Sequence, residues 1–175
     1  MATSSGQLFY FCFGSNLWSK RMHINVKSAV KYGNGLLKDW EFTFDGSSKL
    51  WKGSTANIVP QKDQNVWGTV WTISETELND LDKQEVGYRR IEIPVLVNND
   101  KTINCYTYIQ KGISSNDFVS GTGLKTPSLS YKTVILNGAY EQNLPTDYIQ
   151  FLKSFKDNGV LDCGPPDLQL KPYTE

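Results

Sequence analysis

The chain has 175 residues, of which 39% are hydrophobic, 21% are charged and 13% are aromatic, as expected of a globular protein rich in strands. Its 18 Lys and Arg residues balance its 18 Asp and Glu residues, which argues against nucleic acid or an anionic membrane as a partner and favours a small molecule. We expect one domain over residues 1–175, with an irregular tail at 162–175.

The cysteines and the first residues indicate where the protein resides. Cys12, Cys105 and Cys163 are odd in number and form no Cys-x-x-Cys pair, so we expect free thiols in a reducing compartment. The amino terminus has neither a basic stretch nor a long apolar run, and no segment approaches ~18 consecutive apolar residues. These features predict a cytoplasmic protein without a membrane segment.

The amino-terminal part predicts a strand, a tight loop and a short helix. Residues 8–13 are apolar and aromatic, which is typical of a strand covered on both faces. Gly14 ends this strand, and a weak helical pattern follows over residues 16–22. Amides at the start of a helix attract negative charge, so the loop could bind a carboxylate or an oxyanion. A plain turn capped by Ser15 or Asn16 explains the same residues equally well.

Short extended stretches follow the first helix. Apolar or alternating residues predict strands at 40–44, 55–59 and 66–73. Before them, Gly33-Asn34-Gly35 predicts a turn rather than a phosphate-binding loop. The absence of regular alternation between strands and helices disfavours a doubly wound nucleotide-binding fold.

A helix over residues 74–85 has a clear start signal. Ser74 and Glu77 form a capping box, and Ile73 and Leu78 take the hydrophobic-staple positions around it. We therefore expect this helix to have a well-defined amino end.

The second half of the chain predicts a hairpin, a long loop, a strand and a helix. Residues 88–97 and 103–109 form the hairpin, and residues 131–136 and 147–155 form the strand and the helix. The Gly-, Ser- and Asn-rich residues 112–130 predict a loop long enough to act as a lid. Because strands outnumber helices, we predict an α+β fold with a small mixed β-barrel or sheet flanked by helices.

Glu85 stands out among the acids of the predicted central helix. Glu75 and Glu77 lie in the first turn, where the helix dipole favours acids, whereas a carboxylate in the last turn is disfavoured by about 0.3–1 kcal/mol. A carboxylate with a raised pKa at that position could accept a proton near neutral pH. The alternative is an exposed acid paired with Arg89 or Arg90, and the residues alone slightly favour this alternative.

His23 is the only histidine, which limits the catalytic options. A Ser-His-Asp or Cys-His triad would have to use it, and a zinc site would lack its usual ligands. Its position just past the first predicted helix favours a surface or helix-capping role. We therefore expect neither a triad nor a metal site.

Three segments stand out by their order in the chain, namely YFCFGSNL (10–17), VWGTVW (66–71) and LDKQE (81–85). They resemble the Y-G-S-N-L loop, V-W-G-x-V-W strand and L-D-x-Q-E motif of the γ-glutamylcyclotransferase family, most closely its eukaryotic cytosolic members acting on γ-glutamyl amino acids. Shorter matches follow in the family's order at Tyr131-Lys132, Asn137-Gly138-Ala139 and Leu144-Pro145.

The resemblance implies a small mixed β-barrel with helices, commonly a homodimer, that needs no metal and no cofactor. It implies that the α-amine of a γ-glutamyl group attacks its own γ-carbonyl, which releases 5-oxoproline and an amino acid. Glu85 would be the catalytic residue, serving as general base and then as acid. The residues that the resemblance assigns to substrate binding are Tyr10, Phe11, Cys12, Phe13, Gly14, Ser15, Asn16 and Tyr131.

The chain departs from the family at two places. Phe13 replaces the tyrosine that usually begins the loop, so any hydrogen bond from that hydroxyl is lost, and the segment after Glu85 is shorter than in close relatives. The preferred leaving group therefore stays open. A γ-glutamylamine or glutathione-specific cyclotransferase, or a binding module without turnover, would share the same loop.

Overall fold

The computed structural model describes residues 6–111, 126–168 and 170. These residues form five strands and four α-helices, with a 3₁₀ turn at Ser15–Leu17. In chain order the elements are β1 (Gln7–Cys12), α1 (Ser19–Asn25), β2 (Val30–Ser48), β3 (Gly53–Ser74), α2 (Glu75–Gln84), β4 (Tyr88–Val97), β5 (Lys101–Gln110), α3 (Leu129–Glu141) and α4 (Thr146–Ser154).

The strands close into a barrel in the order β1-β3-β2-β4-β5. The pairs β1 with β3, β2 with β3, β2 with β4 and β4 with β5 are antiparallel. β1 also pairs with β5 in parallel, with Tyr10 opposite Tyr106, and this contact completes the ring. The prediction of an α+β fold with a small mixed barrel is confirmed.

β2 and β3 form one long hairpin that contains all three strands predicted at 40–44, 55–59 and 66–73. The predicted turn at Gly33-Asn34-Gly35 is wrong, because these residues lie inside β2. Gly35 pairs with Gly68 on one side and with Val97 on the other. Hydrogen bonding to two neighbouring strands therefore overrides the local turn preference of the three residues.

α2 begins as the capping box predicts. The Ser74 side chain accepts a 3.2 Å hydrogen bond from the Glu77 amide, and Ile73 and Leu78 are both buried. The predicted hairpin after this helix is also confirmed as β4 and β5. Asn98 and Asn99 both have positive φ at its turn, as expected of a tight hairpin loop.

The strand predicted at 131–136 is wrong, because these residues lie within α3. The Ser128 side chain caps this helix by accepting a 3.1 Å hydrogen bond from the Tyr131 amide. Residues 133–136 are all buried, so the helix has no polar stripe along this stretch. Without a polar stripe the sequence shows no alternation of apolar and polar residues with the helical period. The β-branched residues of the segment therefore favour a strand prediction.

The predicted loop at 112–130 lies mostly outside the described residues, at 112–125, so a lid there stays a prediction. Its last two residues already belong to α3. The predicted helix at 147–155 matches α4, and the described part of the tail contains no helix or strand.

All three cysteines are free thiols. No helix in the described ranges has the length and apolar character needed to cross a bilayer.

α3 packs closely against the loop that follows β1. A Cβ added at Gly138 would lie 2.4 Å from the Trp18 amide nitrogen and 2.5 Å from the Leu17 Cβ. Gln142, at the end of the same helix, donates a 2.9 Å hydrogen bond to the Leu17 carbonyl oxygen. These contacts hold the 3₁₀ turn in place beside the barrel.

Replacing Gly138 by Ala should therefore destabilise the protein. Overpacking of this kind costs about 1–3 kcal/mol, which exceeds the ~1 kcal/mol that Ala gains over Gly inside a helix. We expect a lower free energy of unfolding in urea denaturation. Asn137→Ala, one residue away and only partly buried, should be neutral or stabilising. A Gly138→Ala variant as stable as the wild type would contradict the close contact.

Candidate functional site

A cavity of about 340 Å³, part of it open to solvent, lies at the end of β1. It brings together most of the residues predicted from the sequence, although they are far apart along the chain. Those that line it are Tyr10, Cys12, Phe13, Gly14, Ser15, Asn16, Glu85 and Tyr131.

The loop of residues 13–16 reaches this cavity because the chain turns sharply after β1. Leu17 closes the 3₁₀ turn by donating a 3.1 Å hydrogen bond to the Gly14 carbonyl oxygen. A Cβ at Gly14 would lie 3.0 Å from the Ala56 Cβ and 3.4 Å from the Tyr131 hydroxyl oxygen. The backbone at residue 14 is therefore directly exposed to the cavity, where a larger residue would crowd the space.

Glu85 caps the carboxyl end of α2, where its amide donates a 2.9 Å hydrogen bond to the Leu81 carbonyl oxygen. The residue is partly buried and lines the cavity. Burial raises the pKa of this carboxyl to about 7, and the nearby Arg21 guanidinium opposes the shift. The group can therefore gain or lose a proton near neutral pH.

The alternative in which Arg89 or Arg90 pairs with Glu85 does not match the geometry. Arg90 forms a 2.8 Å ion pair with Asp82 instead, and Arg89 is exposed. The same Asp82 carboxylate accepts a 2.7 Å hydrogen bond from the Tyr108 hydroxyl. Arg90 is therefore bound by Asp82, and Arg89 lies at the surface.

Two tyrosine hydroxyls are held at Ala56 on β3. The Tyr131 hydroxyl accepts a 3.0 Å hydrogen bond from the Ala56 amide, and the Tyr88 hydroxyl donates a 2.8 Å hydrogen bond to the Ala56 carbonyl oxygen. Because the Tyr131 oxygen acts as an acceptor here, its own proton can be donated to a ligand. Burial raises the pKa of Tyr88 to about 12, so this hydroxyl stays protonated.

Tyr10 lines the same cavity as Glu85. Its hydroxyl oxygen accepts a 3.0 Å hydrogen bond from the Asn16 side-chain amide, which links β1 to the loop. Burial raises the pKa of Tyr10, and the Glu85 carboxylate adds to this rise. The Tyr10 ring packs edge-on against the Tyr108 ring at 5.9 Å. Glu85 therefore lies among neutral hydroxyl groups.

A second cleft adjoins the first and is wider, about 1230 Å³ including open solvent. Ser15, Glu85, Tyr88 and Tyr131 line both spaces, so they form the boundary between them. Arg21 lines only the outer cleft. Glu85 can therefore contact a ligand that extends from one space into the other.

Phe11 is the one predicted binding residue that does not line the cavity, because it is fully buried in the core. Along β1 the side chains alternate between faces, and the direction of Phe11 could not be read from an all-apolar strand. The sequence reasoning also missed several residues around Glu85. They are Arg21, Ala56, Tyr88, Thr107 and Tyr108.

The available signals for these residues were the proximity of Tyr88 to Glu85 and of Arg21 to the loop of residues 13–16 in the sequence. Ala56, Thr107 and Tyr108 reach the site through barrel closure. His23 lies inside α1 rather than past it, and its Nε2 is 2.8 Å from the Ala29 carbonyl oxygen. Within residues 6–111, 126–168 and 170, no three His, Cys, Asp or Glu side chains are grouped to hold a metal ion.

Comparison with known proteins places the chain in a family. A family model described as the AIG2-like family matches residues 65–152. The γ-glutamylcyclotransferase of Bos taurus is 34% identical over 167 residues, covering 90% of this chain and 84% of the bovine protein. The γ-glutamylcyclotransferase of Homo sapiens is 34% identical over 157 residues, covering 85% of this chain and 79% of the human protein.

A solved structure of a γ-glutamyl cyclotransferase is similar over 92% of this chain and 95% of that chain, with a TM-score of 0.79 and 31% identity. The likeness therefore extends over nearly the whole length of both proteins, in fold as well as in sequence. The chain belongs to the γ-glutamylcyclotransferase family.

Proposed function

We propose that the protein converts γ-glutamyl amino acids into 5-oxoproline and a free amino acid, with Glu85 moving the proton. The observation that carries this proposal is a carboxyl group with a pKa of about 7 in the same cavity as the loop of residues 13–16. The bovine and human relatives named γ-glutamylcyclotransferase support the activity.

Glu85 acts first as a base. The α-amine of the substrate is protonated at neutral pH and cannot attack a carbonyl carbon until it loses a proton. A carboxylate with a pKa near 7 accepts that proton more readily than an ordinary glutamate, while much of it stays ionised at neutral pH. The protonated group is then ready to act as an acid.

Ring closure follows within the substrate. The neutral amine nitrogen bonds to the γ-carbonyl carbon, and the bond from this carbon to the leaving nitrogen breaks as Glu85 returns the proton to that nitrogen. The ring nitrogen then gives its second proton to the Glu85 carboxylate and becomes the lactam N–H. The released amine takes up that proton and leaves as an ammonium group, which restores the Glu85 carboxylate. Because both reacting groups belong to one molecule, the protein has mainly to hold the reactive rotamer and control the proton. No second substrate is required.

The loop of residues 13–16 stabilises the charge that develops on the γ-carbonyl oxygen. The amides at the start of the 3₁₀ turn have no acceptor inside the turn, and Gly14 leaves its backbone open to the cavity. The Tyr131 hydroxyl lies beside them and can donate a proton. A well-placed donor of this kind contributes about 3 kcal/mol to transition-state stabilisation.

A cytosolic location also belongs to this proposal. The three free thiols support it, because a reducing compartment keeps thiols unpaired. The homodimer implied by the family resemblance stays a prediction, which light scattering on the purified protein can check.

Glu85→Gln should abolish turnover while leaving the fold intact. The amide keeps the shape of the side chain but cannot accept the amine proton, so we expect kcat to fall by about 10²–10⁴-fold. The measurement is 5-oxoproline released from γ-glutamyl-alanine, with ligand affinity followed by calorimetry. Glu75→Gln, on the exposed first turn of α2, is the matched control and should keep normal activity.

A near-normal rate in Glu85→Gln would refute the assigned role. The same assay with glutathione and γ-glutamyl-ε-lysine ranks the possible leaving groups. If the wild type releases no 5-oxoproline from any of these substrates, the proposed activity is wrong.

The raised pKa of Glu85 should also appear in the pH dependence of stability. Between about pH 4.5 and 7 the folded protein keeps a proton that the unfolded chain has lost. The stability from this group is complete below pH 4.5 and decreases as the pH rises through about 7. We expect Glu85→Gln to gain stability relative to the wild type over this range in urea denaturation, whereas a constant difference would contradict the shift.

A further inference from the structure

Arg21 is a buried cation that the proposed proton transfer does not use. It lies on α1 and is only 6% exposed, and its Nε has no hydrogen-bond partner. Among the described residues, no carboxylate oxygen lies within 4.0 Å of its guanidinium nitrogens. Buried charges in proteins are normally paired and hydrogen-bonded. The Arg21 guanidinium can therefore donate a hydrogen bond to an acceptor that a ligand supplies.

The position of Arg21 indicates which part of a substrate could supply that acceptor. Arg21 lines the outer cleft and not the inner cavity, whereas Glu85 lines both. If the γ-glutamyl group occupies the inner cavity, the leaving amino acid extends past Glu85 into the outer cleft. The carboxylate of an α-amino acid is two bonds from its nitrogen, so it would remain close to Glu85.

The charge of the outer cleft supports an anionic occupant. Its described lining has three cationic side chains, Arg21, Lys49 and Lys111, and one carboxylate, Glu85. The two lysines are exposed, so Arg21 is the cation best shielded from water. Burial lowers the pKa of Arg21, and the nearby Glu85 carboxylate opposes this change.

We infer that Arg21 binds the carboxylate of the leaving amino acid and so makes the enzyme prefer γ-glutamyl amino acids over neutral γ-glutamyl amines. The guanidinium offers several N–H donors in one plane, which suits a carboxylate better than a neutral amide. This inference rests on the proposed function and adds the specificity of the leaving group to it.

The experiment compares γ-glutamyl-alanine with γ-glutamyl-alaninamide, which lacks the negative charge but keeps the reacting groups. The wild type, Arg21→Gln, Arg21→Lys and the matched control Arg89→Gln are assayed for 5-oxoproline at pH 9, where the Glu85 carboxyl of the wild type is ionised. The readout is the ratio of kcat/KM for the two substrates. This ratio does not depend on how much of a variant is folded.

We expect the wild type to prefer the acid by about 10- to 100-fold, as one hydrogen-bonded charge pair allows. Arg21→Gln should lose this preference, mainly through a higher KM for γ-glutamyl-alanine, while Arg21→Lys keeps part of it. Arg89→Gln, exposed and outside both spaces, should match the wild type.

An equal loss on both substrates in Arg21→Gln would overturn the inference, because Arg21 would then act through Glu85 or the γ-glutamyl group. A wild type without preference for the acid would overturn it as well. Absence of 5-oxoproline from both substrates with the wild type would instead refute the proposed function itself.

Discussion

The parallel contact between β1 and β5 is the constraint on which the site depends. It closes the barrel, and the buried Thr107 hydroxyl reinforces it by donating a 2.8 Å hydrogen bond to the Phe11 carbonyl oxygen. Because β1 also pairs with β3 along its whole length, the strand cannot slide without breaking both ladders. The chain therefore leaves the barrel at a defined point. This point places the loop of residues 13–16 against Ala56 and close to Tyr131.

The Glu85 carboxyl lines the same cavity as the loop of residues 13–16. The barrel and α3 place tyrosine side chains around Glu85, and burial raises the pKa of its carboxyl to about 7. Such a position costs stability at neutral pH, which is common for residues whose placement serves catalysis rather than folding. Arg21 carries the same kind of cost with the opposite charge, since its Nε is buried without an acceptor. Glu85 lies at the boundary between the inner cavity and the outer cleft, and Arg21 lines the outer cleft.

Several elements could be predicted because their signals are local. The capping box at Ser74, the hairpin of β4 and β5 and the helix α4 all follow from residues close together in the chain. The predictions were wrong where contacts with distant parts of the chain decide the backbone conformation. Residues 131–136 form a helix buried along this stretch, so no polar stripe revealed its period, and Gly33-Asn34-Gly35 is held straight by pairing with two strands.

For the site, the sequence by itself determined the identity of the loop and of Glu85, because the order of the motifs indicates the family and helix α2 ends at that glutamate. It could not decide between a proton acceptor and an exposed acid paired with Arg89 or Arg90, since the pKa of a carboxyl depends on what surrounds it. The tertiary structure removes the pairing with Arg90, because Arg90 binds Asp82, and it surrounds Glu85 with side chains from distant segments. Proton transfer by Glu85 stays a prediction. The tertiary structure also brought Arg21 to the outer cleft, because contacts between elements distant in sequence are set by how the barrel closes and how the helices pack on it.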